Sequence, residues 1–304
     1  MSPRPRALSV SIASIVGLVV ALAGCVPGPT PSGTPTASPT ASPGSSPGSS
    51  GSTGAISHPT GPADLILRVS VGGGFVAPGY LATEAPAFSL YGDGTLIFRD
   101  PGSPTPSPIG VVTPLTPFLT AKLTEDQVQA LLADALDEGG LRTALAQYTL
   151  PVADAPTTTF TVAADAVERQ VSVNGLGIVA PVGADGPILA RLAALRERLL
   201  GYGSTLSGTE VWAPGGYRGI LMEATILAAG TPWPWPSFSP NEFVQSSDPG
   251  MPPFPIRTLT PTDVAALGFG ALPGGAQGIT LISPFPAGTI YSFSLRPLLP
   301  DEAS

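Results

Sequence analysis

The sequence predicts an α+β fold: mixed or antiparallel sheets with a few packed helices, in two lobes spanning residues 63–200 and 209–304. Two observations point there. Strand-like segments with a period of two follow one another as neighbouring pairs, and only a few segments combine a 3.6-residue apolar period with a capping signal. A third, the small-residue stretch Gly201 to Gly208, marks the break between the lobes.

The elements follow in order. Asp64 to Val71 alternates, with Leu65, Leu67, Val69 and Val71 on one face of a half-buried strand. Gly92-Asp93-Gly94 lies between two β-favouring runs, Phe88 to Tyr91 and Thr95 to Phe98, and reads as a hairpin turn. Pro101 to Pro117 is too rich in proline to be regular. Thr124 starts the clearest helix: Thr124 and Gln127 form a capping box, Leu123 and Val128 a staple, and Val128, Leu131, Leu132, Ala135 and Leu136 an apolar stripe stopped by Gly139-Gly140. Thr157 to Ala163 and Glu168 to Val173 form a second strand pair. A helix from Pro187 to Leu200 follows, burying Ile188, Leu192, Leu195 and Leu199.

In the second lobe, Gly219 to Ala228 and Thr289 to Leu295 read as strands, and Thr260 caps a short helix ending at Gly268. Leu259-Thr260 with Asp263 repeats the staple, cap and N3 acceptor of Leu123-Thr124 with Gln127. A duplicated strand–helix–strand unit produces such a repeat, and so does convergence of helix starts on a stabilising signal.

Residues 1–62 have a different character. Arg4 and Arg6 precede an uncharged apolar run from Ala7 to Gly24, and Leu22-Ala23-Gly24-Cys25 reads as a lipobox. Residues 1–24 are thus a lipoprotein signal peptide. Cys25, thioether-linked to diacylglycerol, becomes the first residue of a chain anchored by lipid to the extracytoplasmic face of the cell membrane. The alternative is an uncleaved transmembrane anchor, because the apolar run approaches bilayer length. Residues 25–62 then form a Pro/Ser/Thr/Gly linker that cannot bury enough apolar surface to order itself. It spans about 35 Å as a flexible coil and roughly 115 Å as a polyproline II rod.

Composition excludes several functions. The chain has a formal net charge of −8, and loss of Arg4 and Arg6 with the signal makes the mature protein more acidic still. Phosphate backbones repel such a surface, so nucleic acid is not a partner. Cys25 is the sole cysteine and forbids an internal disulfide. His58, the sole histidine, falls in the linker, which leaves 63–304 without His or Cys. Ser-His-Asp catalysis and zinc, haem or copper sites on those ligands are therefore not expected, and no cofactor or metal is.

Motif matches weaken on inspection. Gly44-Ser45-Ser46-Pro47-Gly48 fits G-x-S-x-G but lacks the flanking strand and helix. Gly72 to Ala77 and Gly175 to Ala180 fit a loose dinucleotide fingerprint, with prolines where the phosphate-binding helix should run. Lys122 lies in a polar stretch and reads as a solvated lysine. Glu210 and Glu223 are the acids available to a hydrolase, which needs two across a cleft. Trp233, Trp235 and Phe238 form an aromatic stretch stiffened by Pro232, Pro234 and Pro236. In an extended chain Trp233 and Trp235 face the same way, and the three rings are candidate ligand-binding residues; the alternative is that they cap the core.

Gly72-Gly73-Gly74-Phe75-Val76, Phe88 to Gly94, Asp154 to Phe160 and the ending Arg296-Pro297-Leu298-Leu299-Pro300-Asp301-Glu302 resemble segments of uncharacterised actinobacterial secreted lipoproteins. The resemblance implies a Gram-positive surface and carries no assigned activity. The reading favoured here is a non-enzymatic envelope lipoprotein binding a cell-wall component, a small ligand or another exported protein. A carboxylate-dependent hydrolase of wall glycans is the alternative. Cys25→Ser, expressed in an actinobacterial host, is expected to abolish lipid labelling and signal cleavage; a variant that fractionates and migrates like the parent identifies a transmembrane anchor instead.

Overall fold

The computed structural model describes residues 54–76, 78–180, 183–224, 230–246 and 254–303, all within the unit Gly51–Ser304. The signal, Cys25 and the G-x-S-x-G match lie outside them. Among the described residues no helix is long and apolar enough to cross a membrane.

The fold is α+β, built on two sheets and a few helices. In chain order the elements are β1 (Leu65–Gly72), α1 (Pro78–Thr83), β2 (Phe88–Tyr91), β3 (Thr95–Phe98), β4 (Thr113–Pro114), β5 (Leu119–Lys122), α2 (Glu125–Ala133), β6 (Gln147–Thr149), β7 (Thr157–Ala164), β8 (Val167–Asn174) and α3 (Gly186–Tyr202). There follow β9 (Glu210–Val211), β10 (Tyr217–Glu223), β11 (Thr231–Pro232), β12 (Val244–Gln245), β13 (Pro255–Leu259), α4 (Pro261–Ala265), β14 (Ala276–Pro284) and β15 (Ala287–Pro297). The first sheet runs β6-β8-β7-β1-β2-β3-β5-β9, antiparallel except for β6 on β8. The second runs β11-β14-β15-β10-β13-β12, and β4 adds to β14.

Local chemistry explains the elements. Gly94, at φ +82°, takes the left-handed position of the β2–β3 turn, and Asp93 accepts from the Thr95 N–H to close it. Asp165 and Ala166 both hold positive φ, the geometry of a two-residue turn matched to strand twist, and join β7 to β8. Both capping boxes form, Thr124 with Gln127 on α2 and Thr260 with Asp263 on α4. The expected stripe of α2 is buried, with Ala135 and Leu136 carried by a π turn, Asp134–Glu138, beyond the α-helix. On α3 the fully buried residue of the first turn is Leu189, and Ile188 packs at the margin.

The helices α2 and α3 cover one face of the first sheet, closing a core of Ile66, Leu67, Phe88, Phe98, Phe160, Val171, Leu132 and Leu192. Gly203, just past α3, has no room for a side chain, since a Cβ there would meet the Phe98 ring at 1.9 Å. Leu65 departs from the alternation expected of β1. A register shift between Leu65 and Leu67 opposes Leu65 to Tyr91, and Leu65 packs with Tyr91, Ile97 and Phe118 instead of with Leu67.

Two expectations are corrected. Residues 54–62 belong to the folded body: Gln129 donates to the Ile56 carbonyl at 2.9 Å and accepts from its N–H at 2.7 Å, and Ile56 packs on the first core. His58 is therefore docked on α2, its Nε2 3.2 Å from Glu125 Oε1. The lobe division is crossed twice, because β9 pairs with β5 and β4 with β14. The repeated helix start sits in two different connectivities: the hairpin after α2 joins β1 through its first strand, β7, whereas the hairpin after α4 joins β10 through its second, β15. Convergence on a stabilising cap accounts for the repeat.

The sheets are tied together by the C-terminal 3-10 turn Pro300–Glu302. Glu302 accepts two hydrogen bonds from Arg296 on β15, each 2.8 Å, and Asp301 accepts from Arg68 on β1 at 2.7 Å and from the Tyr91 hydroxyl on β2 at 2.8 Å. Leu299 is fully buried beside Tyr91, Ile97 and Phe118. Burial opposes the charge of Glu302, but the bonds and charge of Arg296 prevail and hold its carboxyl below the usual range. Since the folded pKa is depressed, this stabilisation is present above the unfolded value near 4.3 and is lost as pH falls through the folded one. Glu302→Gln is expected to cost about 3–5 kcal/mol at pH 7, because it strands Arg296, and to flatten the stability profile below about pH 4 in urea titrations.

Candidate functional site

A deep concave feature lies at the edge of the second sheet. β11 pairs parallel to β14, and the Trp233 N–H continues that pairing with a 2.9 Å bond to the Ile282 carbonyl, so the Pro-Trp-Pro-Trp-Pro segment leaves the sheet at a defined point. It turns back through Pro236 to the 3-10 turn Pro240–Glu242. Across the gap stands the β14–β15 tip, where Ser283 accepts from the Phe285 N–H and donates to its carbonyl. Between them is a cavity of about 580 Å³ lined by Trp233, Trp235, Phe238, Pro240, Glu242 and Phe285, among others.

The three aromatic candidates divide here. Trp235 is 2% exposed, donates its Nε1–H to the Asp263 carbonyl at 2.8 Å and stacks on Phe238 at 5.0 Å. Phe238 is buried as well, and Arg257 lies over its ring at 4.1 Å. Both belong to the second core with Phe243, Phe293 and Leu281. Trp233 is half-buried and meets Trp235 edge to face, 5.1 Å between centroids and 82° between planes. The extended-chain argument for two rings side by side therefore fails. The chain bends after Trp235, and its indole N–H is used inside the protein.

Several polar groups around the cavity are already paired, and the exposed Ser237 also lines it. The Trp233 Nε1–H donates to the Phe238 carbonyl at 2.9 Å, and Glu242 accepts from Arg257 at 3.0 Å and from the Ser239 N–H at 2.9 Å. What remains toward solvent is mainly an aromatic and prolyl surface with Ser237 beside it, and Phe285 is 74% exposed at its rim. Phe285, Glu242 and Arg257 were not legible as neighbours of Trp233. The one sequence signal was a phenylalanine between two prolines, Pro284-Phe285-Pro286, where a turn would normally carry polar residues.

The other candidates do not assemble. Glu210 is on β9 of the first sheet and Glu223 at the end of β10 in the second, and both are exposed, so the two acids stand on different sheets and not as a buried pair. Lys122 pairs with Asp93 at 2.6 Å and is largely solvated. His58 has both ring nitrogens engaged, by the Pro59 carbonyl and Glu125, which leaves none for the adjacent Ser57. The Gly72–Gly74 loop is filled by the chain's own Glu84, which accepts from the Gly73 N–H at 3.0 Å. Among the described residues no group of three or more His, Cys, Asp or Glu could hold a metal.

No family model matches the chain, and no curated protein or solved structure matches it. Trp235→Phe is expected to lower stability by about 1–3 kcal/mol through lost packing and the orphaned Asp263 carbonyl, and Trp233→Phe by less. Acrylamide quenching is the check: Trp233→Phe should remove quenchable fluorescence, whereas Trp235→Phe should remove shielded fluorescence.

Proposed function

We propose that this chain is a non-enzymatic lipoprotein, anchored through Cys25 on the extracytoplasmic face, that holds an apolar anchor of another exported protein in the Trp233–Phe285 cavity. The observation that carries the binding reading is the state of the cavity's polar groups. Glycan recognition needs an aromatic platform together with free donors and acceptors for the hydroxyls. Here the indole N–H groups and Glu242 are committed to the protein itself. An aromatic or prolyl side chain asks for nothing more than the ring surfaces of Trp233 and Phe285 and the surrounding prolines. The lipobox and acidic linker-borne body support the location, and the scattered acids give the hydrolase alternative no site to build on.

The test titrates a Pro-Phe-Pro tripeptide and an N-acetylglucosamine tetramer separately against the intrinsic tryptophan fluorescence of the detergent-solubilised protein. The peptide is expected to bind saturably, and Phe285→Ala is expected to weaken it about tenfold, the effect of losing roughly 1.4 kcal/mol of contact. Saturable binding of the tetramer alone replaces the proposal with a glycan ligand, and no response to either sinks the assignment of the cavity.

A further inference from the structure

The two glycine loops that fit a loose dinucleotide fingerprint stand side by side. Gly72 ends β1 opposite Thr157, and Thr157 is paired in turn with Asn174 at the end of β8, so the loops that follow β1 and β8 leave the same end of the first sheet. Both rest on one stretch, residues 154–156. A Cβ at Gly74 would lie 2.9 Å from the Asp154 carbonyl oxygen, while the Gly175 N–H donates to the Pro156 carbonyl at 2.9 Å and the Asn174 amide to the Ala155 carbonyl at 2.8 Å. From this shared base the loops carry apolar side chains into solvent: Phe75 is 91% exposed and Ile178 52%, and Val76, Val179 and Tyr80 of α1 are exposed with them.

Charge sharpens the pattern. In a chain of net charge −8, residues 72–83 and 174–184 contain no charged residue. Of the carboxylates around them, Glu84 is tied back to the Gly73 N–H at 3.0 Å, Asp154 belongs to the shared base, and Asp185 to the start of α3. The Val76 N–H donates to the Gly74 carbonyl and the Ile178 N–H to the Gly175 carbonyl, each at 3.1 Å, so these polar groups can leave water without loss. Protein partners are usually met by an apolar centre with a polar rim, whereas protruding apolar tips free of charge suit hydrocarbon.

We propose that the two loops dip into the lipid bilayer to which the chain is anchored. Phe75, Val76, Ile178 and Val179 enter the acyl region, and Tyr80, an apolar ring with a polar tip, sits at the level of the headgroups. The inference rests on the membrane-anchored reading above and is independent of the aromatic cavity. The length of the chain allows it. The Ser57 carbonyl accepts from the Asp165 N–H at 2.7 Å, so the chain enters the body at the β7–β8 turn, the opposite end of the sheet, about 26 Å from the loops along the eight residues of β7. The roughly thirty residues from Cys25 to Ser57 span about 30 Å as a flexible chain, enough to reach back from the bilayer to that point.

Tryptophan substitutions in the full-length protein, reconstituted through its own anchor into phosphatidylcholine vesicles, test this. Phe75→Trp and Ile178→Trp place an indole on each loop. Leu145→Trp is the control: Leu145 is 59% exposed toward the other end of the sheet, where Arg142 pairs with Asp165. After subtraction of the parent's emission, bromination of the lipid acyl chains is expected to quench both loop indoles and to spare the control, with flotation of the vesicles read on the same samples. Protein that floats while its loop indoles are quenched no more than the control overturns the docking and leaves the anchor standing; protein that does not float overturns both. Loop indoles that are shielded from acrylamide but untouched by brominated lipid put a second copy of the chain or another protein on the loops, and overturn the lipid assignment.

Discussion

The structure depends on the carboxylates of its C-terminal 3-10 turn, Pro300–Glu302. Asp301 reaches β1 and β2 through Arg68 and Tyr91, Glu302 reaches β15 through Arg296, and Leu299 between them fills the apolar gap against Tyr91, Ile97 and Phe118. Buried ion pairs of this kind contribute little over well-packed apolar residues, but each is costly to break from one side. Their value here is specificity of arrangement. A surface on which Arg68 meets Asp301 and Arg296 meets Glu302 pairs those charges in one relative position of the sheets, whereas a purely apolar one would tolerate sliding.

That tie is reinforced by exchange of short strands. β9 leaves the second half of the chain to close the edge of the first sheet beside β5, and the Trp212 N–H continues that pairing with a bond to the Phe118 carbonyl. β4 leaves the first half to pair with β14. Both exchanges cover strand edges that would otherwise offer unpaired backbone groups. α1 belongs to the same interface: Gln277 on β14 donates to the Thr83 hydroxyl, so a helix from the first half rests on a strand of the second.

The aromatic cavity forms at the far edge of the second sheet, where the Trp loop is held by β11 and by hydrogen bonds internal to the loop, leaving ring surfaces exposed but few polar groups. Elsewhere Arg99 lies over the Phe118 ring with its Nε and Nη2 buried and unpaired. Exposed apolar residues also gather at Phe75, Val76 and Tyr80 near α1.

Much of the local structure was determined by sequence alone. Thr124 with Gln127 and Thr260 with Asp263 specify their helix starts because a cap is satisfied within four residues, and Gly92-Asp93-Gly94 specifies its turn for the same reason. The absence of a thiol pair, and of free imidazole beyond one residue, is equally a property of composition. Tertiary structure decided the rest. Whether Leu65 shares a face with Leu67 turned on a bulge against Tyr91, and whether residues 54–62 were linker or body turned on Gln129, 73 positions from Ile56. Which indole remained accessible turned on Asp263, whose carbonyl draws Trp235 inward and leaves Trp233 at the rim. In each case the deciding partner is distant in the chain, and periodicity, propensity and capping report only on neighbours.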